Sequence, residues 1–135
     1  MRPTVLGSVG VVPQLNAIGI VSSDFERSRA FYALLGVEVA AGEHHIEATL
    51  ANGVRLMFDE EHVLRGMNPD WERATGNQVG LAFECSSPDE VNEVYARVVD
   101  AGFRGEKEPW DAFWGQRYAQ LHDPDGVGVD LYAWL

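Results

Sequence analysis

One cysteine in 135 residues, Cys85, excludes an intrachain disulfide and a cysteine-rich zinc site. With no base evident beside it, Cys85 is expected to be a buried structural thiol. Basic residues are scarce too: ten Lys and Arg stand against 21 Asp and Glu, a formal charge of −11. Nucleic acid and anionic membrane surfaces both demand a basic face, so neither is expected as a partner. No apolar run approaches the length of a membrane span, and no basic stretch leads into a long apolar core. A cytoplasmic location is the expectation. A glycine-rich phosphate loop, a Gly-x-Ser-x-Gly elbow and a dinucleotide fingerprint are all missing. Val5 to Val12 is mildly apolar but broken by glycines and followed by Pro13, and it reads as a loose leader.

What is present is globular material, 46% hydrophobic and 10% aromatic, enough for one domain over 1–135 with a buried core. Two stretches of it resemble each other. The segments Leu15 to Gly36 and Asn77 to Gly102 each begin with a short apolar strand candidate that runs into a Ser-x-x-Glu pair, Ser23 with Glu26 and Ser87 with Glu90. That spacing predicts capping boxes, in which hydroxyl and carboxylate satisfy the free donors of a helix start. Pro88 suits the first helical position of the second. Phe31, Tyr32 and Leu35 mark one face of the first helix, and Val91, Val94, Tyr95 and Val98 one face of the second. Both helices are expected to stop at a glycine, Gly36 and Gly102.

Three strand-like runs follow each helix. In the first half these are Val37 to Ala41, His45 to Leu50 and Val54 to Asp59, with Ala51-Asn52-Gly53 as a hairpin turn. In the second half they lie near Arg104 to Glu108, Arg117 to His122 and Val127 to Tyr132. Asp123-Pro124-Asp125-Gly126 forms the last turn, each residue type favouring it for its own backbone reason. The chain thus reads as a β-α-β-β-β unit written twice, module 1 over about 14–60 and module 2 over about 77–135. The polar stretch between them, 61–76, holds a lone Trp71 and no hydrophobic periodicity, so it is expected to be a linker over the surface or over a site.

The doubled units, the phrase SSDFERSRAFYALLG and the closing WGxR…DPDG…DLY together resemble the vicinal oxygen chelate superfamily. That group includes glyoxalase I, extradiol dioxygenases, fosfomycin-modifying enzymes and bleomycin-resistance proteins. The resemblance runs from about Leu15 to the end. It implies an α+β fold in which two tandem βαβββ modules form a curled, cup-like mixed sheet with helices outside and the ligand within, usually in a homodimer. Metal-dependent members hold an ion with three or four ligands in that cup. Their positions fall here on Ala17, on Gly80, near Leu56 to Phe58, and on Asp130, which alone is a capable ligand. No metal and no cofactor are therefore expected. A set of His45, His122 and Asp130 is disfavoured because His44 and His45 would face opposite ways on a strand and His122 sits at a turn.

The remaining chemistry is aromatic and acidic. Trp110, Phe113 and Trp114 crowd a short stretch before the penultimate strand, and indole faces supply broad contact and attract cations. With Arg117, Asp130, Trp71 and Phe58 they form the expected ligand-binding set. Arg117 either orients an anionic group or pairs with Asp111 or Asp130. Asp130, Glu84 and Arg117 are the candidates for acid-base catalysis. The first reading is a metal-independent small-molecule binding protein of the bleomycin-resistance type, with sequestration of an aromatic or cationic toxic compound as its expected role. The alternative is a lyase, isomerase or dioxygenase of the same fold. A purely structural module is the third.

Overall fold

In a computed structural model, residues 12–76 and 78–135 are described; except for Val12, the expected leader lies outside them. The first half of the chain gives strand β1 (Ala17–Val21), helix α1 (Phe25–Ala33) and the hairpin of β2 (His45–Thr49) and β3 (Arg55–Asp59). Helix α2 (Glu61–Met67) follows. The second half gives β4 (Gly80–Glu84), helix α3 (Pro88–Asp100), β5 (Gly105–Asp111), β6 (Gln116–His122) and β7 (Gly128–Trp134). The fold is α+β, with two open mixed sheets ordered β1-β3-β2 and β4-β7-β6-β5. In each sheet the first strand pairs parallel with the last, and the other pairings are antiparallel.

The helix starts obey their capping residues, with one shift. Ser87 Oγ accepts from Glu90 N at 3.1 Å, while the Glu90 carboxylate reaches back to Ser86 N and Oγ, both at 3.0 Å. In α1 the cap is Asp24 rather than Ser23: Asp24 Oδ1 accepts from Arg27 N at 3.2 Å. Ser23 N instead donates to Asp125 Oδ1, 102 residues away, so a long-range contact takes the group that the local motif would use. Gly36 and Gly102 have φ of +82° and +94°, the left-handed conformation that ends both helices.

Two expectations are corrected. Val37 to Ala41 is no strand, although Val37 and Val39 are buried and their neighbours exposed as a strand would have it. Arg29 Nε donates to the Val39 carbonyl at 2.8 Å, so a side chain occupies the acceptor that a ladder partner would take. The linker is also not wholly irregular, since α2 forms within it. That helix buries no residue, so no apolar periodicity could announce it.

The core is one cluster filled from both halves of the chain. Phe31 and Tyr32 of α1, Leu56 and Phe58 of β3, Val91 and Val98 of α3, and Leu121, Val129 and Leu131 of β6 and β7 belong to it. Phe31 meets Tyr32 and Phe103 edge-on at 4.9 and 5.3 Å between ring centroids. Tyr32 Oη donates to Asp123 Oδ2 at 2.8 Å, a buried bond that ties α1 to the turn between β6 and β7.

Candidate functional site

Strand alternation splits the four-stranded sheet into two chemically distinct faces. On β7, Val129, Leu131 and Ala133 are buried, while Gly128, Asp130, Tyr132 and Trp134 take the less covered side. On β6, Ala119 and Leu121 are buried, and Gln116, Tyr118, Gln120 and His122 take that same side. Register then places Tyr118 opposite both Tyr132 and Trp110, and Asp130 opposite both Gln120 and Ala82. The open face is therefore an aromatic floor around the Asp130 carboxylate.

The rings form a continuous set. Trp110 packs edge-on against Tyr118 at 5.5 Å and Trp114 at 6.1 Å, and Trp114 meets Tyr118 at 5.3 Å. Tyr118 and Tyr132 stack at 6.3 Å, and Phe113 extends the set from Trp114 at 5.0 Å. Lys107 Nζ lies 4.0 Å from the centroid of Trp110, so this indole already holds a cation. Trp114 Nε1 donates to Gln116 Oε1 at 2.7 Å. At the centre, Tyr118 Oη donates to Asp130 Oδ2. Partial burial first, and then Asp130, push the Tyr118 hydroxyl up to about 12, so at neutral pH it remains a proton-bearing donor.

The expected site residues separate into groups. Trp110, Phe113, Trp114 and Asp130 are joined through Tyr118, and Glu84, opposite Tyr132 in register, shares their face. Trp110 and Asp111 belong to β5, so only Ala112 to Gly115 form the loop. Arg117 lies on the other face: its guanidinium donates to Asn92 Oδ1 of α3 at 3.0 Å and to Asp111 Oδ1 at 3.2 Å. Phe58 is fully buried in the core against Tyr32. Trp71 lines a different place, a cleft of about 470 Å³ beneath the segment before β4, together with Ile18, Val21, Leu81, Asp125 and Val127. Cys85 is buried, and desolvation pushes its thiol up to about 11, which keeps it an unreactive thiol. Tyr118, Tyr132 and Lys107 enter the site without having been expected. The signal for them was pairwise register, which aligns Tyr118 with Tyr132 and Trp110 and sets Lys107 beside Gln120.

His45 and His122 have partners other than Asp130. His45 pairs with Glu47 and Asp59 at 2.9 and 2.7 Å on the three-stranded sheet, and these two carboxylates, Glu47 foremost, raise its pKa above the ordinary imidazole value. His122 bonds Glu106 at 2.8 Å. Neither shares a partner with Asp130. The four positions that the family resemblance assigns to a metal hold Ala17, Met57 (the open-face residue of the Leu56 to Phe58 stretch), Gly80 and Asp130. Two of these have no donor atom and a third offers a thioether, so this donor set does not fit a catalytic ion.

The fold is thus α+β with two open mixed sheets, the four-stranded one carrying an aromatic face on its less covered side. Residues 14–131 match the Glyoxalase/Bleomycin resistance protein/Dioxygenase superfamily, and the chain belongs to that superfamily. It is similar to a glyoxalase/bleomycin resistance protein/dioxygenase from Nocardioides, with 27% identity and a TM-score of 0.74 over 94% of this chain and 87% of that one. A family enzyme from Burkholderia phytofirmans PsJN has the same fold at 17% identity and a TM-score of 0.82, over 91% of this chain and 100% of that one. So does a glyoxalase-related enzyme from Fulvimarina pelagi, at 21% identity and 0.78, over 90% and 88%. No curated protein matches the chain.

Proposed function

We propose that the chain is a metal-independent small-molecule binding protein, holding an aromatic or cationic compound on the open face of the four-stranded sheet. The observation that carries this is the Tyr118–Asp130 pair enclosed by Trp110, Trp114 and Tyr132. Aromatic walls take a planar ligand at low entropic cost, and the carboxylate supplies the counter-charge. The Lys107 ammonium on Trp110 marks where a ligand's cation would sit. Behind this reading stand two halves taken as tandem modules of the βαβββ type in a single domain, the first one strand short; in each, the first strand pairs parallel with the last, which pairs antiparallel with the strand before it. It also takes the protein to be cytoplasmic and homodimeric. Phe113, Trp134 and Leu135 are 98%, 63% and 63% exposed, and Leu135 N bonds Gly115 O, so together they offer an apolar edge for a second copy. Light scattering that finds only monomers at micromolar concentration rejects the dimer.

The enzymatic alternative rests on the same face, where Asp130 and Glu84 would move protons. Two variants separate the readings. Trp110→Ala is expected to weaken a cationic aromatic ligand about tenfold, the loss of one cation–π wall. Asp130→Asn keeps a hydrogen-bonding group for Tyr118, and under the binding reading leaves affinity for a neutral aromatic ligand within a few-fold. Calorimetric titration measures both. A substrate whose turnover vanishes in Asp130→Asn while its binding persists replaces the first reading with the second.

A further inference from the structure

We propose that His44, Glu60 and His62 form a site for one divalent ion of the zinc, nickel or copper class, separate from the aromatic face and from the family's metal positions. His44 Nδ1 and His62 Nδ1 lie 3.4 and 3.0 Å from the same oxygen, Glu60 Oε2. All three ligand atoms fall within 4.8 Å of one another, and the two imidazoles meet edge-on at 5.0 Å. A tetrahedral ion bonded at about 2.1 Å separates its ligand atoms by roughly 3.4 Å, so two of the three spacings are already those of a coordination sphere. The third closes by side-chain rotation, for which there is room: the three side chains are 62%, 38% and 61% exposed. Two imidazoles and a carboxylate are a donor set that zinc-class ions prefer, with a fourth position left to water.

The backbone holds these groups together. His44 has φ +67°, the one described non-glycine residue in the left-handed region, and stands just before β2, outside the strand alternation that governs His45. Glu60 N donates to the His44 carbonyl at 3.2 Å, which fixes one ligand's backbone to another's. His62 follows in the first turn of α2.

The consequence lies in α2. Seven residues with no buried side chain and no side-chain cap bond do not make a stable helix unaided. An ion bridging His44 to Glu60 and His62 would clamp the start of α2 to the β2–β3 sheet. From α2, Glu61 bonds Arg73 at 2.7 Å and Arg65 lies 5.2 Å from the Trp71 ring. Trp71 and Arg73 both line the 470 Å³ cleft, so the ion would steady its cover.

Untagged protein, stripped with chelator and dialysed, is titrated with zinc chloride in a calorimeter. One ion per chain is expected, with affinity at least 10- to 100-fold lower in His62→Ala, since even an outer partner of a metal ligand is worth that much. In His44→Ala/His62→Ala, specific binding is expected to vanish while far-ultraviolet circular dichroism stays unchanged, because both side chains are at the surface. In the native protein zinc is expected to slow amide exchange across 61–73. Absence of binding, or equal affinity in the double variant, overturns the site. Binding without slowed exchange overturns the clamp.

Discussion

Asp123→Ala is expected to cost about 3 kcal/mol of folding stability, because one buried and two partly buried donors lose their acceptor. Asp123 Oδ1 accepts from Asp125 N at 2.8 Å and from Val127 N at 2.9 Å, and Oδ2 accepts from Tyr32 Oη at 2.8 Å. The residue is 4% exposed, so solvent does not replace those bonds. Asp123→Asn is the control: its carbonyl serves the two backbone donors and its amide faces the Tyr32 oxygen, so most of the loss is recovered. Charge adds a pH signature. Burial first of all holds the Asp123 carboxyl above its usual range, so the folded state binds this proton more tightly than the unfolded chain. Stability from this group therefore falls as pH rises from the ordinary aspartate value through the raised one, and Asp123→Asn removes that slope. Urea denaturation of the three proteins across this window measures both effects. Equal stability of Asp123→Ala and native protein refutes the role.

Phe31→Ala is expected to destabilise the fold by about 3–5 kcal/mol, the range for truncating a buried phenylalanine. Phe31 is wholly buried and bridges Tyr32 on its own helix to Phe103 beyond α3, so the void opens where the two halves of the chain meet. Two edge-on ring contacts are lost along with the transferred area. Phe31→Leu keeps most of the volume and is expected to lose less than half as much. Thermal or urea unfolding reads the series, and a loss below about 1 kcal/mol for alanine contradicts the packing.

These two residues show what was legible in the sequence. Phe31 and Tyr32 sit at helical spacing between a cap and Gly36, so their burial followed from pattern alone. The Asp123–Gly126 turn was legible as a turn, but not as a buried junction, because its partners Tyr32 and Ser23 lie about a hundred residues upstream. Likewise the cap moved from Ser23 to Asp24 through a tertiary bond that no local motif encodes. Strand 37–41 failed in hydrogen bonding rather than in pattern, Arg29 having taken the Val39 carbonyl. At the site, aromatic crowding singled out Trp110 and Trp114 and the family resemblance singled out Asp130, while sheet register was needed to add Tyr118 and to send Arg117 to the opposite face. Phe58 illustrates the reverse error: an aromatic near a family ligand position faces the core once the strand is in phase.

The most direct test is a tryptophan-emission titration of chelator-treated protein with a panel of aromatic amines and quaternary ammonium compounds. Trp110 and Trp114 lie in the proposed site, so occupancy reports itself. Saturable quenching by at least one compound, without added metal and weakened in Trp110→Ala, is the predicted result. Emission that responds to no compound until a divalent ion is restored would contradict a metal-independent ligand face.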